Sequence, residues 1–331
     1  MLSTETPTGA SGPVPADTPA EAPPDWSVVD VAVPRPSARL AGVRMAGFSQ
    51  HVPAFVDMAM VAHPSVTLLI DLSDGDGILH SARDRHGPGH GSFVVGLAPG
   101  GLRVAGRVGV CLQIRLEPAV AAAVLGPSAG LGGRVESFED VWGRDAERVQ
   151  DRLRAAGSWD ERFAVAADIL RRRTADRRPV DPEVAHTWRT TLAGRGRVRV
   201  DGLAEEVGWS RKRLSARFHA QLGITPKRAA RLVRFDHAAH LLAAGLAPAS
   251  VAFESGYVDQ SHLHREVKAF TGLTPTAVAG APWLAIDDVA WPGSSPARPV
   301  SSTVSAGSAP RRMARPGRAW NRGRTARTDA R

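Results

Sequence analysis

The chain has 331 residues, enough for about two domains of roughly 100–200 residues each. With 43% hydrophobic and 23% charged residues, most of it can bury a core. A single cysteine, Cys111, excludes an intrachain disulfide framework and a cysteine-rich zinc site. No run of about 18 apolar residues predicts a membrane span, and the proline-rich start with Glu5 and Asp17 does not read as a secretory signal, so a cytoplasmic setting is expected. The net charge of +9 is unevenly divided. Residues 1–169 carry 14 Arg/Lys against 20 Asp/Glu, residues 170–285 carry 19 against 10, and residues 292–331 carry 9 against 1. An acidic first half joined to a basic second half implies two jobs, the second with a polyanion as partner.

Residues 1–26 are rich in Pro, Ala, Thr and Ser without apolar period, and are expected to be disordered. From about residue 27 to 140 the signals are β-like. Val66–Ile70, Phe93–Leu97 and Val108–Leu116 are strand candidates, and Ser73–Gly77 is a turn cluster. Short strands at this spacing predict a small barrel or sandwich. His80, His86 and His90 invite a metal reading, but their Gly-rich context and the lack of a paired carboxylate favour a solvated loop. Cys111 reads as a buried small hydrophobe. Gly126-Pro-Ser-Ala-Gly130 has the letters of a serine nucleophile elbow, yet the glycines that follow oppose the helix such an elbow needs.

Past Ser137 the period changes. Residues 145–156 and 159–172 predict helices, with Phe163, Ala166, Ala167 and Leu170 on one face of the second. Residues 141–179 are therefore expected to be a helical connector and linker. Asp181, Pro182 and Glu183 then mark the start of a helix running to about Ala193.

Residues 198–277 hold an internal repeat. Leu203-Ala204, Gly208-Trp209, Leu214, Phe218 and Gly223-Ile-Thr-Pro226 recur as Val251-Ala252, Gly256-Tyr257, Leu263, Val267 and Gly272-Leu-Thr-Pro275. Each copy predicts a helix-turn-helix: a glycine to reverse the chain, a cap at Ser210 or Asp259, and apolar residues burying one face of the second helix. The other face offers Arg211, Lys212, Ser215 and Arg217 in the first copy. In the second it offers Gln260, Ser261, His264 and Arg265. These side chains suit base edges and phosphates, and a helix fits the major groove. Thr225 and Pro226 predict a joining helix to about Ala244. At ~1.5 Å per residue it spans about 28 Å, close to the ~34 Å between successive major grooves.

This segment, about residues 180–280, resembles the AraC/XylS transcriptional regulators. The run Gly256-Tyr-Val-Asp-Gln-Ser-His262 with the closing Gly-Leu-Thr-Pro carries the resemblance most specifically. It implies double-stranded DNA as the partner and places Lys212, Ser215, Ala216, Gln260, Ser261 and Arg265 at base-contacting positions. Ala216 stands where many members carry arginine, and Leu263 and Val267 where phenylalanine is common. The resemblance also implies an N-terminal domain that senses a ligand or dimerises.

The expected fold is thus α+β. A β-rich sensor-like domain (27–140) precedes a connector (141–179) and an all-α domain (180–285) with two helix-turn-helix units on a long helix; a disordered Arg-rich tail (286–331) follows. The expected function is sequence-specific transcriptional regulation, without enzymatic activity, cofactor or metal. A small-molecule effector, RNA polymerase and a second copy of the chain stand as further candidate partners. The alternatives are a metal-dependent β-barrel enzyme with an accessory basic domain, and a nonspecific architectural DNA-binding protein.

Overall fold

The computed structural model describes residues 29–73, 78–82, 89–97, 102–126, 132–175, 179–280 and 290–291. Among the described residues, the N-terminal half holds eight strands: β1 (Val29–Ala32), β2 (Val43–Met60), β3 (Val66–Asp71), β4 (Ile78–Ala82), β5 (Gly89–His90), β6 (Phe93–Val95), β7 (Leu102–Leu116) and β8 (Val135–Ser137). They share one sheet in the order β1-β2-β7-β3-β6-β8, with β4 branching off β7 and β5 paired to β4. Strand β7 is the hub. Its first part pairs with β4, its last part with β3, and β2 runs along its other edge, every pairing antiparallel. The β2–β7 register shifts between Ser49 and Ala54. Pro53, which has no N–H to donate to a ladder, falls in that irregular stretch. Strand β3 is buried along its whole length, as its unbroken apolar run predicts.

The buried face of the sheet is covered by helices that the sequence reading caught only in part. Helices α3 (Asp145–Ala155) and α4 (Trp159–Ala175) lie where expected, and Phe163, Ala166, Ala167 and Leu170 are all buried. Helices α1 (Pro118–Leu125) and α2 (Phe138–Trp142) add to the β-rich reading of residues 27–140. Pro118 opens α1 in its first turn, and the alanines after it favour helix over strand. Cys111 is buried, and burial, reinforced by the negative charge of Asp71, pushes its thiol up to about 12. It therefore stays protonated and packs as an apolar group.

The C-terminal half is α5 (Pro182–Ala193), α6 (Val200–Glu206), α7 (Arg211–Leu222), α8 (Pro226–Ala243), α9 (Pro248–Glu254), α10 (Gln260–Thr271) and α11 (Pro275–Ala279). It is not a bead on a string. One hydrophobic cluster runs from Leu68 and Ile114 of the sheet through Phe163 of α4 to Trp188, Phe218 and Phe235 of α5, α7 and α8. Helix α1 touches α7, and Gly132 lies so close to the carbonyl of Gly223 that a Cβ there would collide with it. The expected disordered tail from residue 286 also needs correction at two positions. Ala290 and Trp291 are buried with Ala46 of the sheet, and Arg115 stacks over the Trp291 ring at 4.2 Å. A tryptophan ring seated this way removes a large apolar area from water.

His237 lies on α8 where it meets the sheet. Burial, then the charges of Arg195 and Arg197, lower its pKa from 6.5 to about 4; Asp236 opposes this and His240 adds to it. The folded protein thus holds this imidazole neutral, while the unfolded chain protonates it near 6.5. Its contribution to stability is complete above about pH 6.5 and is lost as the pH falls toward 4. Urea unfolding at pH 7, 5.5 and 4.5 should show falling midpoints, and His237→Gln should flatten that slope. An unchanged slope in the variant would assign the acid sensitivity elsewhere.

Candidate nucleic-acid interface

The two repeats fold alike because they carry the same local signals. Gly208 and Gly256 sit at φ +65° and +74°, the left-handed conformation that lets each first helix turn sharply into the second. Ser210 then accepts a hydrogen bond from the Arg213 N–H at 3.2 Å, and Asp259 accepts from the His262 N–H at 2.6 Å. Both second helices, α7 and α10, end on a left-handed glycine, Gly223 and Gly272. Thr225 and Thr274 cap the next helices through the N–H groups of Arg228 and Ala277. The joining helix α8 has 18 residues, or about 27 Å at ~1.5 Å each, so the spacer predicted from sequence is present at nearly its predicted length.

The inner faces are buried as expected. Leu214 packs with Leu203 and Ala204, and Phe218 lies beside Trp188 at 6.4 Å between ring centroids. Leu263 and Val267 are fully enclosed. Trp209 and Tyr257 serve packing. Arg213 covers the Trp209 ring at 4.4 Å, and Tyr257 is buried under Arg234. Burial raises the Tyr257 phenol above its ordinary range, so it stays neutral.

The outer faces carry the candidate contact residues. Arg211, Lys212, Arg217, Gln260, Ser261, His264 and Arg265 are exposed, and Ser215 is half-buried. They are not equally available. Arg211 pairs with Asp201 at 3.0 Å, both side chains well exposed; such a pair is worth ~0–1 kcal/mol and yields readily to a phosphate. Arg217 is held more firmly, with its Nε and Nη2 at 2.8 and 2.7 Å from Asp181 at the head of α5. A phosphate would have to displace that carboxylate. Among the described residues, Arg265 reaches only the carbonyl of Ser261, at 3.4 Å.

One residue of this region escaped the sequence reading. Glu266 of α10 is 4% exposed, and its carboxylate meets Arg231 at 3.1 Å and Arg234 at 3.4 Å, both from α8; His262 stands at 3.8 Å. This acid ties the second recognition helix to the joining helix. Its place three residues after Leu263 sets it on the buried face of α10, but the arginines it meets lie 35 and 32 residues away on another helix.

Arg231, Arg234 and Glu266 also line an open cleft between the two units, of about 580 Å³, with Lys227, His262 and Arg265. The metal reading fares differently. His80 is buried and stacked on Phe93 at 4.3 Å, His90 is exposed on β5, and His86 lies outside the described residues, as do residues 1–26, the Ser128 motif and the arginines of the tail. Among the described residues no three His, Cys, Asp or Glu side chains are placed to hold a metal. Among them also, no helix is long and apolar enough to cross a membrane.

Residues 203–280 match a family model described as a helix-turn-helix domain. Over 66 residues the chain is 40% identical to the uncharacterized HTH-type transcriptional regulator YbfI of Bacillus subtilis, covering 20% of this chain and 24% of that protein. The chain thus spans about a quarter of that relative's length. Among solved structures, it is similar to the C-terminal domain of AraT, a response regulator from Geobacillus stearothermophilus, with 22% identity and a TM-score of 0.29 over 30% of this chain and 86% of that one. It is also similar to ToxT from Vibrio cholerae, with 10% identity and a TM-score of 0.42 over 73% of this chain and 98% of that one. The matched segment, residues 203–280, with its two capped, glycine-turned units, is a helix-turn-helix domain.

Proposed function

We propose that this protein is a sequence-specific DNA-binding regulator of transcription, working in the cytoplasm, whose N-terminal half senses a small-molecule effector. The observation that carries this reading is the duplication of one local geometry at the two ends of a helix about 27 Å long. Two recognition helices so spaced suit successive major grooves, ~34 Å apart on one face of a duplex. Gln260, Ser261 and Arg265 read bases from the second helix, and Lys212 and Ser215 from the first. Arg211 and His264 hold phosphates, which position the protein without reading sequence. Val258, a large apolar side chain exposed just before α10, offers methyl groups to a thymine at the same groove. Contacts with RNA polymerase or a second copy belong to this reading as further partners.

Selection of bound fragments from genomic DNA would supply a target. Mobility shifts at several salt concentrations, on target and random DNA, then test the roles. Arg265→Ala should cost about 1–3 kcal/mol on the target and little on random DNA. Equal losses on both would remove Arg265 from base reading, and equal affinity of the parent for both would favour an architectural protein.

A further inference from the structure

A polar cavity lies away from the outer faces of α7 and α10. About 280 Å³ in volume, it lies between the sheet and α8. Arg44, Arg115 and Glu117 line it from the ends of β2 and β7, Arg195 from the end of α5, and Asp236 and His237 from α8. The two walls are already linked. His63, in the segment after β2, meets the Asp236 carboxylate at 3.0 Å, and its ring stands edge-on to that of His240 at 6.0 Å. The cavity therefore joins the sheet to the helix that spaces the two recognition helices.

Three features describe what it would hold. The first is charge. Three arginines face two carboxylates, and His237, with its pKa near 4, is neutral at pH 7. Before the remaining histidines are counted, the lining carries one excess positive charge, which one anionic group would neutralise. Guanidinium groups favour planar, bidentate partners, so a carboxylate fits them well. The second is size and polarity. The volume falls just below the ~300–1,000 Å³ usual for ligand pockets, and Ser65 with the histidines supplies hydrogen-bonding positions for a polar, short molecule. The third is strain. Arg195, at φ +50°, is the one non-glycine residue at positive φ among the described residues. A side chain held in that conformation costs about 1 kcal/mol or more, and such residues cluster at ligand sites. Glycine follows at position 196, so a left-handed turn alone does not explain an arginine here.

We propose that this cavity binds a small polar monocarboxylate, of the hydroxy-acid class, as the effector of the regulator. Its carboxylate sits against Arg195 and Arg44, and its hydroxyl hydrogen-bonds to His237. Because the ligand touches the sheet and α8 together, it stabilises the seating of the DNA-binding half on the sensor half. This rests on the regulator reading above, from which it takes only the word effector; binding itself is measurable without DNA.

The test is calorimetric titration of the full chain, free of DNA, with lactate, glycolate, lactamide, octanoate and inorganic phosphate at millimolar concentrations. Saturable binding of a hydroxy acid is expected, with lactamide weaker by about tenfold or more. Arg195→Gly and Arg44→Gln should each weaken that binding by a similar factor. Arg195→Gly should do so with a melting temperature equal to or above the parent's, because glycine accepts φ +50° without strain. That pairing is one a merely structural arginine would not show. No saturable binding of either hydroxy acid, stronger binding of phosphate or octanoate, or unchanged affinity in both variants would overturn the proposal. Each of these leaves the mobility-shift result untouched, while a parent chain that binds hydroxy acid but no DNA would break the regulator reading alone.

Discussion

Glu266→Ala is expected to lower stability by about 3 kcal/mol, measured by urea unfolding at pH 7. Removing one partner of a buried ion pair typically costs ~3–5 kcal/mol, because the opposite charge is left without its counter-ion in a poorly solvated place. The low end applies here. Glu266 is 4% exposed, but Arg231 is 44% exposed at its side chain and can turn to water, whereas Arg234, at 19%, has less freedom. Glu266→Gln keeps the shape and one acceptor oxygen, so it should cost less than the alanine variant. The same tie sets how α10 leans on α8, and both variants should weaken binding to a two-groove target more than to a half-length duplex. Stability within about 0.5 kcal/mol of the parent for Glu266→Ala, the range of ordinary surface changes, would show that the arginines do not compensate this acid.

Gly196→Ala should cost roughly 2–6 kcal/mol. The residue sits at φ +70° after α5, and a Cβ there would run into the backbone of α8 at Ala230 and Arg234. Backbone strain contributes ~1–3 kcal/mol and overpacking against atoms that cannot swing aside another ~1–3 kcal/mol. Gly202 makes the matching control. It lies within α6 with open space around its missing side chain, so Gly202→Ala should be neutral or stabilise by up to ~1 kcal/mol. Thermal unfolding of the two variants beside the parent would separate them. A Gly196→Ala protein that melts with the parent would mean that α5 and α8 do not approach this closely.

The helical repeat was legible because its signals are local. A cap, a turn glycine and apolar residues at i and i+4 act within about a dozen residues, and both copies repeat them. The contact candidates were legible for the same reason: residues opposite a buried helical face must point outward. The sheet was read in fragments. Strand β2 carries Pro53 and an irregular register, so it lacks the alternation that marks a strand, and α1 opens on a proline after a strand-like run. Glu266 was missed because a lone acid on a helix looks solvated until its neighbours across the fold are known. Arg217 was assigned to the outer face correctly by position, yet its link to Asp181 spans 36 residues and leaves no mark nearby.

From the order of its residues alone, this chain determines two capped helical units, the helix that spaces them and the faces they expose, since short-range hydrogen bonds and periodicity suffice for those. Tertiary structure alone decided that the acidic half and the basic half share one buried core, that Trp291 returns to the sheet, and that a charged cavity lies on the seam. Those depend on which distant surfaces meet, and burial energy depends on the total area two surfaces remove from water, which no single stretch of chain specifies.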